Sequence, residues 1–238
     1  ILAKDGLSNE NHVETFSTLA QLYMNLEEID SALVHLENAA LITKDKAYKG
    51  RLHFIQGQLY NKQGLTDSAQ TAFQKVIDLK RKVPRTYRVN SFLEQILNFD
   101  YERGDLLALD VFLETLVEDR ENRPYLDRIY HVMAKHYLTL DEDSTAVAYF
   151  NKSLRRQSKD SYLNALNYHT IADLNFDDSN YTLAGAYYDS TLMHYKKNSK
   201  PHRLVKKRRD NLEDVIFYES IAKENDSILK LAAMPADA

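Results

Sequence analysis

The fold of this chain is decided by the segment FSTLAQLYMNLEEIDSALVHLENA, residues 16–39. Its first half has apolar residues at i, i+3, i+4 and i+7, the spacing of one face of an amphipathic helix. These residues are Phe16, Leu19, Ala20 and Tyr23. A polar turn at residues 27–30 follows, and a second helix then has smaller residues on its apolar face. These are Ala32, Leu36 and Ala39. The segment therefore predicts two antiparallel helices that approach each other closely.

Copies of this helix–turn–helix unit recur along the chain. The small residues equivalent to Ala32 are Ala32, Ala69, Ala108, Ala146 and Ala184, at intervals of 37, 39, 38 and 38 residues. A first-helix stripe precedes each of them, as in Tyr130, Met133, Ala134 and Tyr137. Five in-phase copies indicate tetratricopeptide-like repeats, and a period above the usual ~34 residues predicts helices about one turn longer. The alternative is an irregular helical bundle with accidental periodicity.

The predicted fold is an all-α, right-handed solenoid of about five tetratricopeptide-like repeats plus a long C-terminal capping helix, in a single domain over residues 1–238. The expected boundaries are a lead-in at 1–9, repeats at about 10–43, 46–82, 84–120, 123–157 and 159–197, a capping helix at about 201–232 and a tail at 233–238.

Composition and motifs argue against disulfides, metal sites, membrane-spanning helices and catalytic sites. The chain has 238 residues, a net charge of −4 and no cysteine, so disulfides and thiolate metal sites are excluded. No apolar run approaches the ~20 residues of a membrane-spanning helix. The eight histidines form no His-Glu-x-x-His motif, and there is no glycine-rich phosphate loop or nucleophile elbow. We expect no enzymatic activity, no metal and no cofactor. Since the first residue is Ile1 and no signal peptide is visible, we expect a processed protein or a piece of a longer one.

The inner groove of such a repeat array is normally lined by first-helix residues that lie off the packing stripe. By spacing, the protein-binding candidates are Arg51, Phe54, Gln58, Leu93, Leu97, Arg128, His131, Lys135, His169, Asp173 and Phe176. Apolar side chains rimmed by charge suit a bound peptide or helix. The alternative is that the longer repeats turn these positions into the core.

A basic cluster at residues 196–209 contains eight cations and no acid. Its last four members, Lys206, Lys207, Arg208 and Arg209, are further protein-binding candidates. Cations in the first turns of a helix oppose its dipole, so helix stability does not explain them. A solvated charged face is one interpretation and an acidic partner is another. Nucleic acid is not expected, because no aromatic residues alternate with the cations.

The last third of the chain resembles a known family. The segments that carry the resemblance are YLNALNYHTIAD (162–173), YTLAGAYYDSTL (181–192), RRDNLEDV (208–215) and ENDSIL (224–229). Together they resemble the SprE/PorW family, the tetratricopeptide-repeat lipoproteins of the type IX secretion and gliding motility machinery of Bacteroidetes. The earlier repeats are compatible with this family but generic.

The resemblance implies a non-enzymatic scaffold on the periplasmic side of the outer membrane, linking the outer-membrane translocon to periplasmic components. Family members are longer and begin with a signal peptide and a lipid-bearing cysteine. Any membrane contact of this chain would therefore be made through a lipid anchor outside it. The alternative is a cytosolic tetratricopeptide sensor or regulator domain that binds a signalling peptide.

Overall fold

The computed structural model describes residues 8–232, in which every regular element is a helix and no strand occurs. The α-helices of this part are α1 (Asn9–Asn25), α2 (Ile29–Ile42), α3 (Lys46–Lys62), α4 (Thr66–Asp78), α5 (Arg85–Leu97), α6 (Leu106–Glu118), α7 (Leu126–Thr139), α8 (Asp143–Leu154), α9 (Ser161–Asp177), α10 (Tyr181–His194), α11 (Lys200–Asn211) and α12 (Glu213–Ala232). Short 3-10 turns at Lys80–Lys82 and Arg120–Tyr125 follow α4 and α6. Most of the predicted lead-in, residues 1–7, and the predicted tail, residues 233–238, lie outside the described residues.

The helices associate as consecutive pairs. Helix α1 contacts α2, α3 contacts α4, α7 contacts α8 and α9 contacts α10. Helices α5 and α6 meet through the rings of Phe92 and Phe112, whose centroids lie 5.2 Å apart. The small residues Ala32, Ala69 and Ala146 are fully buried in their second helices, as the repeat pattern predicts. The predicted all-helical fold of helix–turn–helix repeats is confirmed.

Four turns between paired helices close in the same way. Each has one residue with a left-handed backbone, and these residues are Glu27, Gly64, Asp141 and Ser179, with φ between 58° and 73°. The next N–H donates to the carbonyl five residues earlier, in the pairs Glu28–Tyr23, Leu65–Tyr60, Glu142–Tyr137 and Asn180–Asn175, at 2.8–3.0 Å. This is the Schellman motif, which satisfies carbonyls that the helix end leaves free. Only the turn at Gly64 has the residue that adopts this conformation without strain.

The third repeat departs from this pattern and corrects its predicted register. Ala108 is exposed, and the buried residues of α6 are Leu109, Leu113 and Leu116. Helix α5 ends at Leu97, and a long turn closes with the Gly104 N–H donating to the Asp100 carbonyl at 2.8 Å. This turn shifts the second helix by one residue, so the aligned alanine faces solvent.

The capping segment at about 201–232 was predicted to be one continuous helix, and this is wrong. The segment forms α11 and α12, which meet at Leu212. The N–H of Leu212 donates to Arg209 and Asp210 rather than to the carbonyl four residues earlier. Its side chain is buried with Val205 in a core cluster that also includes residues of α9 and α10. The break lets both helices bury apolar residues against the last repeat, while residues 220–230 of α12 are exposed.

The chain divides into two compact units, Ile1–Tyr125 and Leu126–Ala238. The first has a core cluster around Leu36 and Leu52, and the second has clusters around Phe150 and Tyr188. The prediction of a single repeat domain stays a prediction, because each repeat of such an array contacts only its neighbours and internal division is expected.

Candidate protein-binding surfaces

In the first unit, α3 presents the predicted residues Arg51 and Gln58 to solvent. Phe54, on the same helix, is half-buried. Its ring lies 5.6 Å from the ring of Phe73 on α4 and 5.6 Å from that of Tyr87 on α5. Phe54 therefore joins three helices and offers only part of its ring to a partner.

The two predicted residues on α5 differ in exposure. Leu97 is 41% exposed, as a groove residue would be, but Leu93 is only 5% exposed. Leu93 joins Val89 and Ile96 on the buried face of α5, at i, i+4 and i+7. The predicted position of Leu93, off the packing stripe, is wrong, because the buried face of α5 is wider than that stripe and includes Leu93. Leu93 is a core residue.

Amide side chains form a polar surface between α3 and the end of α5. The Asn61 amide donates to Glu94 Oε2 at 3.0 Å, and the Asn98 amide donates to Asn61 Oδ1 at 2.7 Å. On the other side of α5, Gln70 donates to the carbonyls of Gln95 and Asn98 at 3.1 and 3.2 Å. Glu94 and Asn98 were not among the predicted residues. The sequence signal that could have found them is the recurrence of Asn61 and Asn98 at one repeat interval.

In the second unit, His131 of α7 begins a chain of directional hydrogen bonds. Its Nδ1 lies 2.6 Å from Asn167 Oδ1, which can only accept, so Nδ1 donates. The Asn167 amide donates to Ser153 Oγ at 2.8 Å, and Ser153 Oγ donates to the Asp127 carbonyl at 2.6 Å. Burial lowers the pKa of His131, an effect that the bond to Asn167 opposes. His131 is therefore neutral at pH 7 and fixed in orientation by α8 and α9.

The two other predicted residues of α7 differ in exposure. Arg128 is half-buried and lies 3.6 Å from the Asp160 carboxylate at the start of α9. Lys135 is exposed. Of the three α7 candidates, Lys135 is the most accessible to a partner.

Four predicted residues meet in one cluster, which we call the Asp173 cluster: His169, Asp173, Phe176 and Arg208, with Tyr188 as a fifth member. Asp173 Oδ1 accepts hydrogen bonds from Tyr188 Oη and Arg208 Nη1, each at 2.6 Å. Its Oδ2 lies 3.6 Å from His169 Nε2, and the Arg208 guanidinium lies 5.6 Å from the centre of the Phe176 ring. The cluster joins α9, α10 and α11. Tyr188, which is fully buried, was not predicted as a site residue.

The protonation states in the Asp173 cluster follow from burial and charge. Burial, and then the bond to Asp173, raise the pKa of Tyr188, so the hydroxyl remains a donor. The bond to Tyr188 and the charge of Asp173 raise the pKa of Arg208. Burial lowers the pKa of His169 more than Asp173 raises it. His169 is therefore neutral at pH 7, and its contact with Asp173 is not an ion pair.

The basic cluster at 196–209 is partly neutralised by the chain itself. Its ion pairs are Lys206–Asp210 at 2.8 Å, Arg208–Asp173 at 2.6 Å and Arg209–Asp189 at 2.9 Å. Lys206 therefore pairs within α11, whereas Arg209 pairs with Asp189 of α10. Lys207 is exposed and has no ion pair within residues 8–232. Of these four cations, Lys207 is the one most available to a partner.

Two further properties concern the described part of the chain. Residues 8–232 contain no group of three His, Asp or Glu side chains placed to hold a metal ion. Within the same residues, no helix combines the length and the apolar character needed to cross a membrane.

Comparisons with known proteins agree with the repeat pattern. Residues 50–83, which include most of α3 and all of α4, match the tetratricopeptide repeat family. The structure is similar to that of PilF from Pseudomonas aeruginosa, with a TM-score of 0.53 and 17% identity over 94% of this chain and 93% of PilF. MamA matches with a TM-score of 0.35 and 12% identity over 95% of this chain and 98% of MamA. No curated protein matches the sequence. The family match covers one predicted repeat, and the similarity to PilF extends to the helical fold of nearly the whole chain.

Proposed function

We propose that this chain is a non-enzymatic scaffold of the type IX protein secretion system. It would act at the periplasmic face of the outer membrane and link the outer-membrane translocon to periplasmic components. The resemblance of residues 162–229 to the SprE/PorW family supports the system and the compartment, and the repeat fold supports the mode of action, which is protein binding.

One observation carries this proposal. Three of the four segments that resemble the family meet at the Asp173 cluster. Asp173 ends the first segment, Tyr188 lies in the second and Arg208 begins the third. They are separated by up to 35 residues in sequence, yet they share two hydrogen bonds of 2.6 Å. Three of the segments that carry the resemblance therefore form one hydrogen-bonded cluster, which joins the last repeat to its capping helices.

The Asp173 cluster is also chemically suited to recognise a protein. The side chains of Asp173 and Arg208 are 38% and 50% exposed, and Phe176 lies half-buried beside them. A carboxylate, a guanidinium and an aromatic ring on fixed helices can bind a partner that offers both charged and apolar groups.

The test is affinity capture of the tagged full-length protein from its native envelope, followed by mass spectrometry. The expected result is recovery of the outer-membrane translocon and its periplasmic associates. The variant Arg208→Gln should reduce this recovery, and Arg208→Lys should restore little of it because lysine lacks the planar fork. The matched control is Arg203→Gln, an exposed position on the same helix.

Two outcomes would contradict the proposal. Recovery of only a cytosolic regulator or a small signalling peptide would favour the sensor alternative. Full recovery with Arg208→Gln would remove the Asp173 cluster from the binding surface, even if the translocon were captured.

A further inference from the structure

A second basic segment lies in the first unit, and none of its cations is among the predicted groove residues. The sequence KRKVPRTYR, residues 80–88, has five cations in nine residues and no acid. It spans the 3-10 turn after α4 and the first turn of α5. Arg81, Arg85 and Arg88 therefore lie at the junction between the second and third repeats.

This segment forms one wall of an open cleft of about 1,090 Å³, which we call the basic cleft. Lys46, in the first turn of α3, and two carboxylates that follow α6 complete its lining. Its charged residues are six cations, Lys46, Lys80, Arg81, Lys82, Arg85 and Arg88, and three acids, Asp78, Asp119 and Glu121. The cleft therefore has an excess of positive charge, in a chain whose net charge is −4.

The basic cleft already binds carboxylates of its own chain. Arg85 donates through Nη1 to Glu121 at 2.7 Å and through Nη2 to Asp119. Its Nε donates to the Asn122 side chain at 3.0 Å, and Arg81 lies 3.8 Å from Glu121. The basic cleft therefore already contains guanidinium–carboxylate ion pairs, and among its lining residues these pairs involve Arg81 and Arg85.

Arg88 is the cation that the chain leaves unsatisfied. Its Nε is buried and has no hydrogen-bond partner among the described residues. Burial lowers the pKa of Arg88, and the charge of the neighbouring Arg85 lowers it further. The Arg88 side chain lines the cleft, where a carboxylate of a partner can pair with its guanidinium without displacing an ion pair of residues 8–232. Lys80 and Lys82 are exposed beside it.

We infer that the basic cleft binds an acidic segment of a partner protein, whose Asp and Glu side chains pair with Arg88, Lys80 and Lys82. This inference rests on the proposed function as a protein-binding scaffold and adds the chemistry of a partner. A peptide fits better than a single small anion, because the unpaired cations come from two separate turns and the cleft has a volume of about 1,090 Å³. It also fits the pairing that Asp119 and Glu121 already show.

The test uses the full chain and a fluorescein-labelled peptide of alternating Asp and Glu, with binding followed by fluorescence anisotropy. The peptide should bind, its Asn and Gln counterpart should not, and raising the salt from about 50 to about 300 mM should weaken binding. The double variant Lys80→Gln/Arg88→Gln should bind at least about tenfold more weakly, the loss expected from removing charge-assisted hydrogen bonds.

The matched control is Lys62→Gln/Arg103→Gln, which removes the same two residue types from exposed positions near turns within repeats. It should bind like the unmodified chain. If Arg88→Gln fails to fold, Lys80→Gln/Lys82→Gln changes only exposed side chains and should still weaken binding.

Three results would overturn the inference. One is equal loss in the control, and another is loss only in Lys206→Gln/Lys207→Gln, which would move the peptide to the basic cluster at 196–209. The third is no peptide binding, with inorganic phosphate or a single-stranded oligonucleotide bound instead. Each would leave the scaffold proposal standing if the translocon were still captured from the envelope.

Discussion

The close contact between Gly57 and Phe73 gives the sharpest test of the repeat packing. A Cβ atom added at Gly57 would lie 2.5 Å from Phe73 Cε1 and 2.6 Å from its Cζ. Phe73 is fully buried, and the ring of Phe54 lies against it. The Phe73 ring cannot move away without displacing a neighbour, so Gly57→Ala should push α3 and α4 apart.

The expected cost follows from two opposing effects. Alanine is about 1 kcal/mol better than glycine in a helix interior. Overpacking a filled core costs about 1–3 kcal/mol, and three ring atoms closer than 3 Å place Gly57→Ala near the upper end. We expect a net loss of about 2 kcal/mol in the free energy of unfolding. In the background Phe73→Leu the collision disappears, and the same change should stabilise by about 1 kcal/mol.

A double-mutant cycle measured by urea unfolding tests this reasoning. Gly57→Ala, Phe73→Leu and the double variant should show a coupling of about 3 kcal/mol, at the upper end of values for residues in contact. Circular dichroism of each variant checks that the helices form. Additivity within about 0.5 kcal/mol would refute the proposed contact, because the cost would then be independent of the Phe73 ring.

Three further predictions concern the turns between helices, the attachment of the capping helices and the dependence of stability on pH. Gly64→Ala should destabilise the fold by about 1 kcal/mol because φ is +73°, although no atom lies within 4 Å of the new Cβ. Glu27→Gly, at the equivalent turn of the first repeat, should stabilise the fold for the same reason. Urea unfolding midpoints measure both effects. Asp173→Asn removes the charged acceptor of Arg208 and should cost about 1 kcal/mol, seen as faster hydrogen exchange in α11. Because burial lowers the pKa of His131 below its ordinary 6.5, the unfolded chain takes up the proton first, and stability should fall as the pH drops from about 7 towards 5. His131→Gln should reduce this pH dependence.

Helix positions could be predicted from the sequence because local signals fix them. The second repeat is predicted to begin at residue 46, and its first helix is observed as Lys46–Lys62, which begins where Asp45 accepts the N–H of Ala47 at 2.8 Å. This cap and the apolar stripe both lie within a few residues of the helix end, so a single sequence contains the information.

The register of the third repeat could not be predicted in the same way. Ala108 matched the spacing of the other small residues, yet Leu109 is the buried position. The cause is the length of the turn that contains Gly104, which has no left-handed residue of the kind seen at Gly64. Turn conformation depends on how the helices meet, and a constant interval does not reveal it.

The candidate surfaces were predicted unevenly for a similar reason. First-helix spacing correctly brought His169, Asp173 and Phe176 to one surface, because residues three and four apart share a helix face. The connection of Arg208 to Asp173 spans 35 residues and depends on how α11 packs, which spacing cannot show. Segment 80–88 has five cations in the sequence, but spacing does not show that the carboxylates after α6 lie against it.

The two basic regions differ in what a partner must displace, and this difference decides where an acidic protein gains most by binding. At Arg208 and Arg209 a new carboxylate would compete with Asp173 and Asp189, so it exchanges one ion pair for another. At Arg88, which lines the basic cleft, no ion pair formed within residues 8–232 would have to be exchanged. Reversing all of residues 206–209 to glutamate would also break the pairs that attach α11, and lost binding could then reflect a loosened capping helix. Lys207→Glu is the informative change in that region: capture of an acidic partner should be nearly unaffected if it binds the basic cleft, and clearly weakened if it binds the cluster at 196–209.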